Sequence, residues 1–238
     1  MKAFASDFDR TLYFKDCFKK DDVEQIKTFQ DKGYLFGVCT GRSLDGVLIP
    51  TSHLISYDFY ILCTGSLILD KNKSIIDSHV ISKETVESLT SEYGENYKLA
   101  YNCGDNLYSL FDDYEIFVSM KDISELPNKV YGISFVTEDV DSAYGICKYL
   151  NSKYELSAFN NGPFVDITAK GCSKGKAIKT LKEKLNIDEI YCMGDSFNDM
   201  TMLESGDVSF TFPTSPKLVQ DKATFIKDSV SEALKTIK

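Results

Sequence analysis

The stretch Lys2-Ala-Phe-Ala-Ser-Asp7-Phe-Asp9-Arg10-Thr11 decides how this chain is read. A short apolar run opens it, and two carboxylates two residues apart close it. Residues i and i+2 of a strand point to the same side. The pattern therefore predicts a strand that delivers Asp7 and Asp9 together where it leaves a sheet. A plain strand followed by a polar turn would look the same locally, because aspartate is common in turns. The ends of the other strands separate the two readings.

Three further apolar runs end in a similar way. Tyr34–Cys39 runs into Thr40-Gly41-Arg42, Phe59–Cys63 into Thr64-Gly65-Ser66, and Glu189–Met193 into Gly194-Asp195-Ser196. Continuous apolar runs of this length suit strands covered on both faces. Helical stripes lie between them: Val23, Ile26 and Phe29 with Gly33 beyond, and Ala177, Ile178, Leu181 and Leu185. This alternation predicts a parallel sheet of the α/β class. Ligands of such sheets bind beyond the carboxyl ends of the strands, so neighbouring strands would bring Asp7, Asp9 and Asp195 to one crevice. Clustered carboxylates repel unless a cation or proton compensates. Oxygen ligands without His or Cys favour a hard cation, Mg²⁺ in particular. Thr40 and Gly41 offer a hydroxyl and amides to an anion. Lys174 opens a helix and supplies a positive charge for a phosphoryl group.

The middle of the chain has a different texture. Leu67 to Ile81 reads as a hairpin. From Ser82 onward the pattern predicts a helix over 84–93 and strands over 98–103 and 106–111 around Gly104-Asp105. An alternating strand over 130–136 and a helix over 140–150 follow. Strand character returns over 155–168, interrupted by Asn160-Asn-Gly-Pro163. This is an α+β insert with an antiparallel sheet. The expected domains are a core of residues 1–81 and 169–238 and an inserted unit of residues 82–168.

Composition narrows the function. A length of 238 residues allows one large domain or two modest ones. A net charge of −9 argues against nucleic acid as a main partner, while leaving room for an acidic small substrate at a locally positive pocket. No apolar run approaches the ~18 residues of a membrane span. Seven cysteines without C-x-x-C spacing, and a first strand that starts at the second residue, lead to the expectation of reduced thiols in a cytoplasmic protein.

Four segments, in order, carry a family resemblance. They are Asp7-Phe8-Asp9-Arg10-Thr11, Thr40-Gly41-Arg42, Ser173-Lys174-Gly175-Lys176-Ala177 and Gly194-Asp195-Ser196-Phe197-Asn198-Asp199. In these the chain resembles the haloacid dehalogenase superfamily phosphatases, in their Cof-type (IIB, C2-capped) branch. The resemblance implies a Rossmann-like parallel-sheet core with an inserted α+β cap. It implies Mg²⁺-dependent hydrolysis of a phosphate monoester of a small metabolite such as a sugar phosphate. By the same resemblance, Asp7 is the nucleophile that forms an aspartyl-phosphate, and Asp9 is the general acid and base. Thr40, Gly41, Lys174 and Asn198 hold the phosphate. Asp7, the main-chain oxygen of Asp9, Asp195 and Asp199 surround the metal. Two positions depart from the family: Arg10 stands where glycine is usual, and Thr64-Gly65-Ser66 where Asn-Gly-Ala is common. Arg42 reads as a surface or structural arginine able to pair with a carboxylate. A phosphomutase of the same superfamily and a low-turnover regulatory or binding protein on the same core remain alternatives. The sequence carries no motif that names a substrate, and nothing in it sets the oligomeric state.

Overall fold

The computed structural model describes residues 1–111 and 117–238. β1 (Lys2–Ser6) is buried from Ala3 onward. A small hairpin follows, β2 (Tyr13–Phe14) with β3 (Cys17–Phe18). Next come α1 (Lys20–Asp31), β4 (Leu35–Cys39), α2 (Leu44–Thr51) and β5 (Phe59–Leu62). The antiparallel strands β6 (Leu67–Asp70) and β7 (Ile75–Ser78) continue the same sheet.

The insert begins with α3 (Lys83–Tyr93) and holds β8 (Ala100–Asn102), β9 (Leu107–Ser109), β10 (Phe117–Ser119) and β11 (Gly132–Val136). It continues with α4 (Val140–Lys153), β12 (Leu156–Asn161) and β13 (Phe164–Ala169). The chain then returns through α5 (Lys174–Lys184), β14 (Glu189–Met193), α6 (Met200–Ser205) and β15 (Val208–Thr211). It closes with α7 (Lys217–Gln220), β16 (Phe225–Ile226) and α8 (Val230–Lys235).

The strand order of the large sheet is β16-β15-β14-β1-β4-β5-β6-β7, parallel from β16 through β5. β1 is central because its residues pack on both faces. Phe4 stacks on Phe36 and Phe210, with ring centres 5.7 and 6.1 Å apart, and joins the cluster that contains Ile26 and Phe29 of α1. Ala3 and Ala5 point the other way, into the cluster under α5. β14, β1, β4 and β5 are consecutive neighbours, so their carboxyl ends open on one crevice, as expected for an α/β Rossmann-like core.

The second sheet, in the order β10-β9-β8-β11-β13-β12, is the cap. Directly opposed residues of an antiparallel sheet share a face. Tyr101, Ile133, Ile167 and Ala158 form an apolar row packed against α3 and α4. The alternate positions, including Asn102, Ser134, Phe159, Asp166 and Thr168, make the opposite face. That face is turned to the core, because the Asn102 side-chain amide donates to the Gly41 carbonyl at 3.1 Å.

Several elements differ from expectation. The strands expected over 98–103 and 106–111 are only three residues each. Residues 112–116 beside them lie outside the described residues. Over 155–168 the Asn-Gly-Pro interruption is the turn of a hairpin between β12 and β13. After β14 the chain enters α6 through a 3-10 turn, Phe197–Asp199. α2 is a helix that Gly46 and Pro50 disguise. Its first amides are taken by the cap, where Leu44 and Asp45 donate to the Gly104 and Asp105 carbonyls at 2.8 and 3.0 Å. That tertiary docking outweighs weak local propensity.

Candidate active site

The crevice is built around a buried charge chain. β1 ends at Ser6, and the Asp7 amide donates to the Met193 carbonyl at 2.8 Å, which pins the turn to β14. Lys174 is only 1% exposed, and its ammonium donates to Asp7 Oδ1 at 2.7 Å and to Asp199 Oδ1 at 2.6 Å. A lysine at the first residue of a helix opposes the helix dipole, and burial adds a desolvation cost. Burial works against its charge, but Asp199 and Asp7 more than offset this and hold its pKa well above the ordinary lysine value.

One glycine makes that placement possible. Gly65, in the 3-10 turn after β5, has φ +96°, and a Cβ there would lie 2.4 Å from the Ser173 carbonyl oxygen. The turn thus presses directly on the start of α5. The Ser173 hydroxyl caps that helix by accepting from the Lys176 amide at 3.1 Å.

Asp7, Asp195 and Asp199 offer carboxylate oxygens that all lie within 4.8 Å of one another, and all three residues are buried. Burial, then the charge of Asp199, raises the Asp7 pKa above the ordinary carboxylate range, with Lys174 pulling the other way. Burial and Asp199 likewise push Asp195 up to about 6, against Arg10 and Lys174. Asp199 also braces its own loop: its Oδ2 accepts from the amides of Asp195 and Ser196, both at 3.0 Å. Three clustered carboxylates against one buried ammonium leave a deficit of positive charge. That all-oxygen, desolvated donor set fits a hard divalent cation.

Asp9 does not join this cluster. The i, i+2 rule fails here because the strand has already ended before Asp7. Instead Arg42 grips Asp9 with two bonds, Nε to Oδ2 at 2.8 Å and Nη2 to Oδ1 at 2.7 Å. Arg42 Nη1 donates to the Gly46 carbonyl at 2.7 Å, and its guanidinium lies 4.9 Å from the Phe8 ring centre and 5.6 Å from that of Tyr13. The arginine is therefore fixed in place by a carboxylate, as its reading allowed. Its signal was its place directly after Thr40-Gly41.

Arg10 keeps the turn that glycine usually makes. Its φ of +61° is left-handed, which costs a non-glycine residue roughly 1 kcal/mol. Its guanidinium bonds Asp195 Oδ2 at 2.7 Å. A cavity of about 420 Å³ opens there between Phe14 and Phe212, and of the three clustered acids only Asp195 lines it. Thr40 is buried beside the crevice, where its hydroxyl accepts from the Arg42 amide at 3.2 Å. Gly41 is exposed. Asn198 is half-buried and accepts from the Ser196 hydroxyl at 2.8 Å.

Known proteins share this architecture. The family model for haloacid dehalogenase-like hydrolases matches residues 4–233. The chain belongs to that family, and within it to the Cof-type phosphatases. A Bacillus subtilis (strain 168) relative, 5-amino-6-(5-phospho-D-ribitylamino)uracil phosphatase YcsE, is 23% identical over 241 residues, covering 96% of this chain and 90% of that protein. An uncharacterized protein of Mycoplasma capricolum is 30% identical over 237 residues, covering 85% and 87%. Among solved structures, a haloacid dehalogenase-like hydrolase from B. subtilis superposes with a TM-score of 0.88 at 19% identity, covering all of both chains. The subclass IIB sugar phosphatase BT4131 superposes at 0.81 with 20% identity, covering 99% and 98%. These likenesses establish the fold.

Proposed function

We propose that this phosphatase hydrolyses phosphate monoesters of small metabolites in two steps on Asp7. The observation that carries the reading is the buried Asp7–Lys174–Asp199 chain, with Asp195 beside it and Thr40 at the edge of the crevice. In the first step an Asp7 carboxylate oxygen bonds to phosphorus and the ester P–O bond breaks. Asp9 gives its proton to the departing alcohol. In the second step a water loses a proton to Asp9 and attacks phosphorus, freeing inorganic phosphate and restoring Asp7. Splitting one displacement into two easier ones is the gain of a covalent route. Positioning and charge neutralisation supply most of phosphoryl-transfer catalysis. Thr40, the Gly41 amide, Lys174 and Asn198 hold the phosphoryl oxygens in this reading.

Asp7, Asp195 and Asp199, with the Asp9 main-chain oxygen, would hold Mg²⁺. The ion would supply the positive charge that these acids and a phosphate require. Residues 82–168 serve as the cap over a core of residues 1–81 and 169–238. Sugar or polyol phosphates are the favoured class, since YcsE and BT4131 are named for substrates of that kind. A net charge of −9 agrees with a small-molecule partner rather than nucleic acid. Among the described residues no helix is long and apolar enough to cross a membrane, and we place the protein in the cytoplasm.

The test is phosphate release from 4-nitrophenyl phosphate and a panel of sugar phosphates, with Mg²⁺ and with chelator. Release that needs Mg²⁺ and disappears in Asp7→Asn is expected. Isomerised sugar phosphate without phosphate release would instead mark a mutase.

A further inference from the structure

The cap face above the crevice carries an acid that has no hydrogen-bond or ion-pair partner among the described residues. Asp166 lies in the middle of β13, opposed by Ser134 on β11 and by Phe159 on β12. The three side chains therefore share a face. It is the face that Asn102 extends to the Gly41 loop. β12 runs against the Phe197–Asp199 turn and β13 against the Cys63–Gly65 turn, so this row roofs the catalytic groups. Asp166 is half-buried. Among the described residues no hydrogen bond or ion pair ends on its carboxylate. Burial, opposed by the charge of Lys174, is what acts on it. A half-buried carboxylate without a protein partner keeps its acceptor capacity open to a ligand in the crevice.

On the reading that this chain hydrolyses phosphate monoesters, we propose that Asp166 selects the leaving group. Its carboxylate accepts a hydrogen bond from a hydroxyl or amino group on the alcohol half of the substrate. Its charge turns away alcohols that carry a second anionic group. Ser134 adds a hydroxyl in the same row, and the Phe159 ring offers an apolar surface to the carbon skeleton. Lys174 does not cancel the repulsion, because its ammonium is committed to Asp7 and Asp199. Selection by an unfavourable charge contact is a common route to specificity.

Two matched esters test this: 4-(hydroxymethyl)phenyl phosphate and 4-carboxyphenyl phosphate, which differ in the charge of one distal group. The readout is the ratio of their kcat/KM values in wild type, Asp166→Asn and Asp166→Ala, each checked for a cooperative thermal melt. Comparing ratios between variants cancels the chemistry of the leaving groups. Removing the charge is expected to shift the ratio toward the carboxylated ester about tenfold. A ratio unchanged in folded variants overturns the selector role and leaves the phosphatase reading standing. Failure of wild type to release phosphate from either ester with Mg²⁺ overturns the phosphatase reading, and the selector role falls with it.

Discussion

The core crevice and the cap face above it treat buried charge in opposite ways. In the crevice Lys174 bridges Asp7 and Asp199 and Arg10 answers Asp195, while at its exposed edge Arg42 grips Asp9. On the cap, Asp166 stands half-buried beside Ser134 and Phe159, and among the described residues no cation is bonded to it. The difference matches the two jobs proposed for them. Chemistry on a phosphoryl group needs fixed groups whose geometry is set before the substrate arrives. Recognition of a leaving group needs polar capacity kept open for it. The crevice is thus internally paired apart from its missing positive charge, while the roof, on the proposed reading, is completed by a ligand.

The largest effect is expected at Lys174. Lys174→Met would leave Asp7 and Asp199 buried without their shared cation. We expect phosphate release to fall about a thousandfold and stability to drop by about 3–5 kcal/mol, read by denaturant unfolding. Near-normal stability would mean that the two acids do not depend on the lysine.

Arg42 is the next largest effect. Arg42→Lys keeps the charge but loses the two-pronged grip on Asp9. A drop in kcat of about 10–100-fold with little change in KM is expected, because small misplacements of a catalytic group carry costs of that size. Equal kcat in the two proteins would reduce Arg42 to a structural role.

The effect of Asp166 on stability depends on pH. Burial raises its pKa from the ordinary aspartate value near 4 to about 6 in the fold. The native state therefore holds the proton more tightly than the unfolded chain between those two values. The favourable contribution is complete below about pH 4 and is lost as pH rises through 6. Asp166→Asn should accordingly stabilise the protein by about 1–2 kcal/mol at pH 8, after allowance for partial exposure. The gain should vanish below pH 4 in parallel melts. A gain independent of pH would place the effect in packing instead of charge.

Much of the crevice was legible because each of its acids and its lysine ends or begins an element with a strong local pattern. The run into Asp7, the run into Asp195 and the stripe behind Lys174 set the sheet, and the sheet brings those residues together. Asp9 went elsewhere because strand alternation stops with the strand, at Ser6. Which carboxylate Arg42 pairs with was not legible, because its partners, Asp9 and the rings of Phe8 and Tyr13, come from a distant part of the chain. α2 was hidden by Gly46 and Pro50, and only its docking on the cap loop explains it. Asp166 had a usable signal. It alternates with Val165 and Ile167, which fill the cap interior, so it had to face the other way. Which surface that other face meets depends on how cap and core pack, and no local pattern reports that.

The proposed mechanism requires Asp7 to carry the phosphoryl group. Borohydride added during turnover of 4-nitrophenyl phosphate with Mg²⁺ would reduce an acyl phosphate to the alcohol, leaving homoserine at position 7 for peptide mass spectrometry to find. We predict that modified peptide in wild type and its absence without substrate. Steady phosphate release with Asp7 never modified would contradict the account.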